Sequence, residues 1–204
     1  MFTGLVQQVG TIDAIERRDE GLLVRIECGL HPYTGGESIA VDGVCLTVKA
    51  FDQGHFEADA SLETLDKSNL GDRSERDRVH LERALALGDK LGGHLVTGHV
   101  DGVGRLVDKG PSGDYVCATF EAPGRLVPFL APKGSITVNG VSLTVNTVTA
   151  SRFDVMLVPY TLDETTFGSM TPNTRINLEV DILAKYVASL MGKPGVDGAP
   201  ADGG

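Results

Sequence analysis

His99 is the residue of this sequence whose side chain is best suited to proton transfer near neutral pH. An unperturbed imidazole titrates at about pH 6.5, so His99 could give or take a proton in a reaction. A histidine on the surface or at the edge of a core is the alternative, and the residue type alone leaves it open. His94 lies five positions earlier, which puts the two rings on opposite faces of a strand or about 140° apart on a helix. We therefore do not expect the two histidines to share a metal ion.

Two short polar pairs are the next candidates. Ser142 and Thr144 are two positions apart on a predicted strand and so share one face of it. Cys45 and Thr47 repeat the same polar–apolar–polar pattern. Each pair could either face solvent or form the polar half of a pocket inside a barrel. A hydroxyl or thiol in such a pocket could donate a hydrogen bond or add to an electrophile, although an isolated cysteine is more often buried and inert.

The sequence lacks the motifs of several large enzyme classes. Neither GxSxG, GxxxxGK[ST] nor GxGxxG is present, so the serine hydrolase, P-loop and Rossmann interpretations lose their main support. HExxH and CxxC are also missing, and we expect no metal site. The three cysteines, Cys28, Cys45 and Cys117, are an odd number without paired spacing, which argues against a disulfide framework and fits a reducing cytosol.

Composition and charge restrict the partners. With 18 Lys and Arg against 28 Asp and Glu, the net charge is −10, which disfavours nucleic acid and anionic lipid as partners. No apolar run reaches the roughly 18 residues of a membrane span, and the first residues do not resemble a signal peptide. We therefore expect a soluble, cytoplasmic protein. Aromatic residues make up only 5% of the chain and Trp is absent, so the core must be aliphatic.

The strongest signal in the chain is an internal repeat. The segment SIAVDGVCLTVK at residues 38–49 matches SITVNGVSLTVN at residues 135–146 in 8 of 12 positions. The same offset of 97 pairs ETLDKSNLG at 63–71 with YTLDETTFG at 160–168, and RVHLE at 78–82 with RINLE at 175–179. Earlier, the offset between FTGLV at 2–6 and VTGHV at 96–100 is 94. The chain is therefore a duplicated domain whose second copy carries a three-residue insertion in an intervening loop.

Each copy is about 90 residues of short alternating stretches separated by turn residues, which predicts an all-β unit. Closure into a barrel is favoured at this size because it removes exposed strand edges. The dipeptides Asp42-Gly43 and Asn139-Gly140 predict type I′ hairpin turns. A short helix is expected in each copy, with Ser61 as an N-cap in the first.

The end of the chain divides into a helix and a tail. Apolar residues recur at helical spacing through residues 181–191, and this stripe needs a partner. From the pattern alone, packing on a barrel and association with other copies of the helix are equally favoured. Residues 193–204 are rich in Gly, Pro, Ala and Asp, a composition that predicts a disordered tail. We divide the chain into two barrels at residues 1–94 and 95–180, a helix at 181–192 and the tail.

Taken together, the motifs resemble those of the riboflavin synthase family of the alpha-chain, lumazine-binding-repeat type. The resemblance rests on MFTG at the N-terminus, GVCLTV at 43–48, GVSLTV at 140–145 and GGHLVTGH at 92–99. It covers about residues 1–190. It implies two tandem six-stranded Greek-key barrels and a C-terminal helix through which three chains associate. Possible association with lumazine synthase follows from the same resemblance.

The family implied by these motifs converts two molecules of 6,7-dimethyl-8-ribityllumazine into riboflavin and 5-amino-6-(ribitylamino)uracil by moving a four-carbon unit. No cofactor and no metal takes part. The active site of such enzymes lies between the first barrel of one chain and the second barrel of its neighbour. His99 and Thr144 correspond to the proton-handling groups. Ser142 and Cys45 are candidates to add to the acceptor or to activate water, and a bound water is a third possible nucleophile.

The resemblance also assigns the residues that contact substrate to two sites. The first site consists of Gly4, Leu5, Val6, Cys45, Leu46, Thr47, Asp59, Ala60, Ser61, Leu62, Glu63 and Thr64. The second site consists of Gly98, His99, Val100, Lys133, Ser142, Leu143, Thr144, Met156, Leu157, Val158, Pro159, Tyr160 and Thr161. Phe2 corresponds to a lid or packing group, and Asp181 to an acid near the helix start. Tyr160 and Asp42 depart from the family pattern, which has Glu and Asn there.

Two other functions are compatible with such barrels. A lumazine- or flavin-carrying antenna protein would keep the barrels and lose the catalytic groups, whereas this sequence keeps the Ser-Leu-Thr motif and His99. A flavin-dependent reductase would need a nucleotide-binding domain, for which the second barrel leaves no room.

Overall fold

The computed structural model describes residues 1–193, 195 and 196 and contains two closed antiparallel barrels followed by a helix. The first barrel consists of β1 (Gln8–Arg18), β2 (Gly21–Glu27), β3 (Ser38–Val41), β4 (Val44–Phe51), β5 (His55–Ser61) and β6 (Arg78–Arg83). The second consists of β7 (Gly102–Ser112), β8 (Tyr115–Glu121), β9 (Ser135–Val138), β10 (Val141–Thr149), β11 (Arg152–Leu157) and β12 (Arg175–Val180). The predicted duplicated all-β fold is confirmed.

Both barrels have the same strand order. In the first, the neighbours run β1-β2-β5-β4-β3-β6, and the second repeats this order with β7 to β12. Strand β2 therefore pairs with β5 and not with β3, which is the Greek-key arrangement. The two copies keep an offset of 94 through β8 and of 97 from β9 onward. The three-residue insertion thus lies in the connection between β8 and β9.

Aliphatic side chains fill each barrel because alternate residues of every strand point inward. In β2, Leu22, Val24 and Ile26 are buried in the first core. The second core includes an aromatic pair, Phe120 and Phe153, whose ring centroids are 5.5 Å apart. Each barrel thus forms its own core, and the outer faces are free to form contacts between the barrels and with ligands.

The two predicted type I′ turns meet where the barrels touch. Asp42 and Gly43 have φ values of 46° and 80°, and Asn139 and Gly140 have 45° and 80°, as this turn type requires. A Cβ atom on Gly43 would lie 2.7 Å from the backbone nitrogen of Gly140. Glycine is therefore needed at this contact for its small size as well as for its backbone conformation.

Three α-helices complete the described structure: α1 (Leu62–Lys67), α2 (Pro159–Glu164) and α3 (Ile182–Leu190). The same part of the chain has three short 3₁₀-helices, at Asn69–Asp72, Gly124–Phe129 and Thr166–Gly168. Ser61 caps α1 as expected, since its hydroxyl accepts from the Thr64 N–H at 3.3 Å. Asp181 caps α3 through the Leu183 N–H at 2.9 Å. Of the predicted tail, residues 194 and 197–204 lie outside the described residues. No helix within the described residues is long and apolar enough to cross a membrane.

His80 joins the two barrels as a buried, neutral side chain. Its Nδ1 lies 2.8 Å from the Asn139 carbonyl oxygen, and its Nε2 accepts from the Thr166 N–H at 2.8 Å. Because a carbonyl oxygen only accepts, Nδ1 carries the proton and Nε2 has none. Burial lowers the pKa of His80, while the nearby carboxylate of Asp42 acts in the opposite direction and Arg73 and Arg78 reinforce the lowering.

We expect the His80 contact to make stability depend on pH. The unfolded chain takes up a proton at His80 near pH 6.5 that the buried ring does not, so stability is complete above about pH 6.5 and falls below it. Between pH 6.5 and 5.5 the loss should be on the order of 1 kcal/mol. Asn177 occupies the equivalent position in the second barrel, where its side chain binds the Asp42 carbonyl and the Asn69 N–H.

The matched variant is therefore His80→Asn, which gives the first barrel the residue of the second. Urea unfolding midpoints at pH 7.5 and 5.5 should fall more for the wild-type protein than for the variant. Equal falls in the two proteins would show that His80 is not the group responsible.

Candidate active site

Each half of the chain begins with a segment that a buried carboxylate holds in place. The N–H and hydroxyl of Thr3 both donate to Glu82 Oε1 at 2.7 Å, and the Gly4 N–H donates to Oε2 at 3.0 Å. Glu179 holds residues 97 and 98 with the same three distances. Burial raises the pKa of both carboxyl groups, and these hydrogen bonds lower it in opposition. The three donors compensate each carboxylate for lost hydration.

The first of these segments extends from the first barrel onto the second. The Gly4 carbonyl accepts from the Ser142 N–H at 2.8 Å, so the segment covers the backbone of β10. Val6 packs against the core of the second barrel. Gly4 has a φ of 78°, and a Cβ there would lie 2.6 Å from the Ser142 Cβ. The approach is therefore close enough to require glycine.

The second segment makes the equivalent contacts on the first barrel. The Gly98 carbonyl accepts from the Cys45 N–H at 2.9 Å, and Val100 packs against the core of the first barrel. A Cβ on Gly98, whose φ is 80°, would lie 2.6 Å from the Cys45 Cβ. The two halves have thus exchanged their leading segments.

This exchange corrects the grouping that we expected for the site residues. Residues 4–6 lie with Ser142 on the second barrel, and residues 98–100 lie with Cys45 on the first. His99 and Thr144 therefore belong to different barrels within one chain. The physical reason is the antiparallel bridge between Phe2 and Val96, in which the Phe2 N–H donates to the Val96 carbonyl at 2.7 Å. Because the two leading segments cross at this bridge, each one runs onto the opposite barrel.

His99 lines a cavity beside Cys45. The cavity measures about 220 Å³ and also contains Glu63, Thr64 and Lys67 of α1. The His99 N–H donates to the Thr97 hydroxyl at 3.2 Å, which orients the backbone below the exposed ring. The cavity thus places an imidazole, a thiol and a carboxylate around one small space. These are groups that can exchange protons with a bound molecule.

The polar pairs of β4 and β10 lie on the outer faces of the barrels and not in the interior. Thr47 and Thr144 are exposed, whereas Cys45 and Ser142 are partly covered by the exchanged segments. Leu46 and, equivalently, Leu143 point into the cores. The leucines can therefore offer a ligand only their backbone. The interpretation that a pocket lies inside the barrel is wrong, because the aliphatic side chains leave the interior filled.

The segments at residues 59–64 and 156–161 connect a strand to a helix in each copy. Ala60 and Leu157 are buried in the cores, and the other members of the two segments lie on the surface or near it. Asp59 is engaged in ion pairs, at 2.7 Å with Lys49 Nζ and at 3.2 Å with Arg18 Nη1. Helix α1 begins with Leu62, Glu63 and Thr64 after its N-cap Ser61. Helix α2 begins with Pro159, Tyr160 and Thr161 after Met156 and its N-cap Val158.

Two residues of the predicted second site stand out. Lys133 has a φ of 68°, where lysine is disfavoured, and the equivalent Gly36 has 84°. Retaining a side chain in this conformation costs about 1 kcal/mol and is a feature typical of functional sites. Tyr160 is 75% exposed at the start of α2, in the position that Glu63 occupies in the first copy.

Phe2 and Asp181 have structural positions. Phe2 is completely buried in a small cluster with Ala40 and Val96, so it is a packing group and not a mobile lid. Asp181 caps α3. Among the described residues, no group of three or more His, Cys, Asp and Glu could hold a metal ion.

His94 is the residue of this region that sequence reasoning missed, since it considered His94 only as a metal ligand. Its Nδ1 lies 2.7 Å from Ser142 Oγ and its Nε2 lies 3.1 Å from Thr137 Oγ1. Burial lowers the pKa of the imidazole, against the effect of the Asp181 carboxylate. A Cβ on the preceding Gly93 would lie 2.9 Å from Ser142 Oγ, so the chain passes close to this serine just before His94.

Comparison with known proteins identifies the repeated unit. The family model described as the lumazine binding domain matches twice, at residues 3–84 and 97–181. This chain belongs to the lumazine-binding domain family. The matched ranges contain both segments that are held by Glu82 and Glu179, and both polar pairs of β4 and β10.

Two curated relatives are similar over nearly the whole chain. Riboflavin synthase of Brucella abortus (strain 2308) is 44% identical over 197 residues, which is 93% of this chain and 98% of that protein. Riboflavin synthase of Mycobacterium tuberculosis (strain ATCC 25618 / H37Rv) is 45% identical over 206 residues, with 96% and 100% covered. A crystal structure of LumP complexed with riboflavin has the same fold, with a TM-score of 0.82, 22% identity and coverage of 88% and 99%.

Proposed function

We propose that this chain is a riboflavin synthase, a transferase that converts two molecules of 6,7-dimethyl-8-ribityllumazine into riboflavin and 5-amino-6-(ribitylamino)uracil. This is the last step of riboflavin biosynthesis. The observation that carries the proposal is similarity over nearly the full length to proteins with that name, from 36% identity in Bacillus subtilis to 45% in Mycobacterium tuberculosis. The two lumazine-binding units are residues 1–94 and 95–180.

The duplicated architecture suits a reaction between two identical molecules. One lumazine must lose a proton from its C7 methyl group, and the other must accept a nucleophile at C7. Two related pockets that hold the rings face to face make the bond-forming step effectively intramolecular, which is worth up to about 7–11 kcal/mol. This chemistry uses no cofactor and no metal.

Each pocket contributes a different set of groups to this reaction. The first pocket brings His99, Cys45 and Glu63 to one cavity, and the second brings Ser142 under Gly4. We assign proton transfer to His99 and Thr144, which lie on different barrels of one chain. They meet when the first pocket of one subunit faces the second pocket of its neighbour. A cavity of about 220 Å³ is smaller than most ligand sites, which supports completion by a second subunit.

The C-terminal helix is the surface that we propose for this assembly into a homotrimer. Ala184 and Ala188 face the second barrel, whereas Leu183, Tyr186 and Leu190 are more than half exposed, Leu190 by 89%. An exposed apolar face of this size needs a partner. Association of the trimer with lumazine synthase, and a cytoplasmic location, belong to the same proposal.

Disrupting the apolar face of α3 should separate the subunits and remove activity together. We expect Leu183→Asp combined with Leu190→Asp to sediment near the 21.5 kDa of one chain and to be inactive, because each site needs two subunits. Removing residues 181–204 should do the same. Leu87→Asp is the matched control, since Leu87 is fully exposed in the linker between the barrels. An active monomer would contradict a site shared between chains.

Turnover tests the proposed activity. Purified protein, free of added cofactors, is incubated with 6,7-dimethyl-8-ribityllumazine, and riboflavin is followed by absorbance and fluorescence. One riboflavin per two lumazines consumed would support the dismutation. Tight binding without turnover would favour the alternative function, a lumazine- or flavin-carrying antenna protein, and absence of binding would reject both.

A further inference from the structure

His94 forms a continuous hydrogen-bonded chain on the outer face of the second barrel. Thr137 of β9 and Ser142 of β10 are directly paired across the two strands. The imidazole of His94 lies over this pair, with Nδ1 2.7 Å from Ser142 Oγ and Nε2 3.1 Å from Thr137 Oγ1. The ring thus connects the hydroxyl of Thr137, which is 1% exposed, to the hydroxyl of Ser142, which is partly exposed at the site.

The burial of Thr137 determines which nitrogen of His94 carries the proton. A buried hydroxyl needs an acceptor for its proton, and within the described part of the chain the Thr137 hydroxyl hydrogen-bonds only to His94 Nε2. Nε2 must then be unprotonated, so that it accepts. In a neutral imidazole the proton is consequently on Nδ1, which donates to Ser142 Oγ. The partial burial of the ring favours this neutral form.

This arrangement restricts what Ser142 can do. Its oxygen already accepts a hydrogen bond from His94, so its own proton is free to point away from the ring and toward the ligand. A serine that acts as a nucleophile needs the reverse arrangement, in which the imidazole takes the serine proton. In the first pocket, no imidazole among the described residues hydrogen-bonds to the equivalent Cys45 thiol.

We propose that His94 is a positioning residue that makes Ser142 a hydrogen-bond donor to an acceptor atom of the ligand, and that Ser142 is not the nucleophile. The acceptor is a ring oxygen or nitrogen of lumazine that gains negative charge as the reaction proceeds. The second pocket thereby has a hydrogen-bond donor, the Ser142 hydroxyl, that is oriented by an imidazole, whereas the thiol of Cys45 in the first pocket is not. The catalytic role of Ser142 rests on the proposed function, whereas the position of the proton on His94 does not depend on that function.

The proton position is measured directly by NMR of protein labelled with ¹⁵N at its five histidines. Long-range ¹H–¹⁵N correlations distinguish the two tautomers, and His94→Asn assigns the resonance. We expect His94 to be protonated at Nδ1 alone, with and without bound riboflavin. Protonation at Nε2 would overturn the proposal, whether or not the protein has riboflavin synthase activity.

Kinetics of a matched pair of variants tests the role of each nitrogen. The amide of asparagine can replace Nδ1 as donor to Ser142, whereas the amide of glutamine reaches the position of Nε2. His94→Gln should lower kcat by about tenfold, since it loses one hydrogen bond to Ser142, with KM changed less than about threefold. His94→Asn should retain most activity. His31→Gln, in an exposed loop of the first barrel, is the control. Equal losses in the two His94 variants would contradict the assignment.

A double-mutant cycle separates positioning from a general structural role. If His94 acts through Ser142, adding His94→Gln to Ser142→Ala should cause no further loss of kcat. Multiplicative losses would mean that His94 supports the barrel independently of Ser142, and the proposal would then be rejected.

Discussion

Gly98→Ala is expected to abolish turnover and to lower the melting temperature by roughly 5–10 °C. The new Cβ would lie 2.6 Å from the Cys45 Cβ and 2.9 Å from Phe2 Cε2, in a backbone with φ 80°. Neither neighbour can move freely, because Phe2 is buried and Cys45 belongs to β4. A cost of about 2–3 kcal/mol corresponds to such a shift for a chain of this size. Displacing the segment would also move His99 away from the cavity.

Gly88→Ala is the matched control for this substitution. Gly88 also has a positive φ, 99°, but a Cβ there would meet no atom within 4 Å. Gly88→Ala should therefore lose only the roughly 1 kcal/mol that an alanine side chain costs in a backbone with positive φ. Thermal unfolding and turnover of both variants separate the two effects. If Gly98→Ala matched Gly88→Ala in both measurements, the close contact between the exchanged segment and β4 would be wrong.

His99→Ala and Ser142→Ala are each expected to lower kcat while leaving ligand affinity within about tenfold. Loss of a proton-transfer group typically costs about 10²–10⁴-fold in rate, which applies to His99. Loss of one hydrogen-bond donor to developing charge costs about 10²–10³-fold, which applies to Ser142. Neither side chain lies in a barrel core, so the fold should survive. Single-turnover rates and riboflavin titrations separate chemistry from binding.

His55→Ala serves as the control for a histidine that lies outside both pockets. His55 begins β5 and contacts Asp52 at 3.1 Å. Normal turnover in both His99→Ala and Ser142→Ala would show that the assignment of site residues is wrong even though the family is right. A loss of affinity beyond tenfold would instead make these residues binding groups.

Much of the fold could be predicted from the internal sequence repeat. Two copies of one alternating pattern dictate two similar barrels, and the paired Asp42-Gly43 and Asn139-Gly140 dipeptides dictate the turns, because each needs two residues with positive φ. The serine at 61 could be recognised as an N-cap for a similarly local reason. The turns and the N-cap depend on residues that are neighbours in the sequence, so they can be predicted from the sequence alone.

The exchange of leading segments could not be read in the same way. Residues 2–6 and 96–100 carry the same motif, and period-two alternation specifies which face of a strand is apolar but not which barrel covers it. The choice depends on the Phe2–Val96 bridge, a contact between residues 94 apart. His94 was missed for a related reason, since its two partners lie more than 40 positions away in the chain.

A crystal structure of the protein with bound riboflavin would test most directly where the exchanged segments place His99 and Ser142. We expect the flavin on the first barrel to contact Cys45 together with His99 of the same chain. The flavin on the second barrel should contact Ser142 beneath Gly4 of the same chain. A flavin that touches His99 and Ser142 of one chain in a single pocket would contradict the exchanged segments and the division of roles built on them.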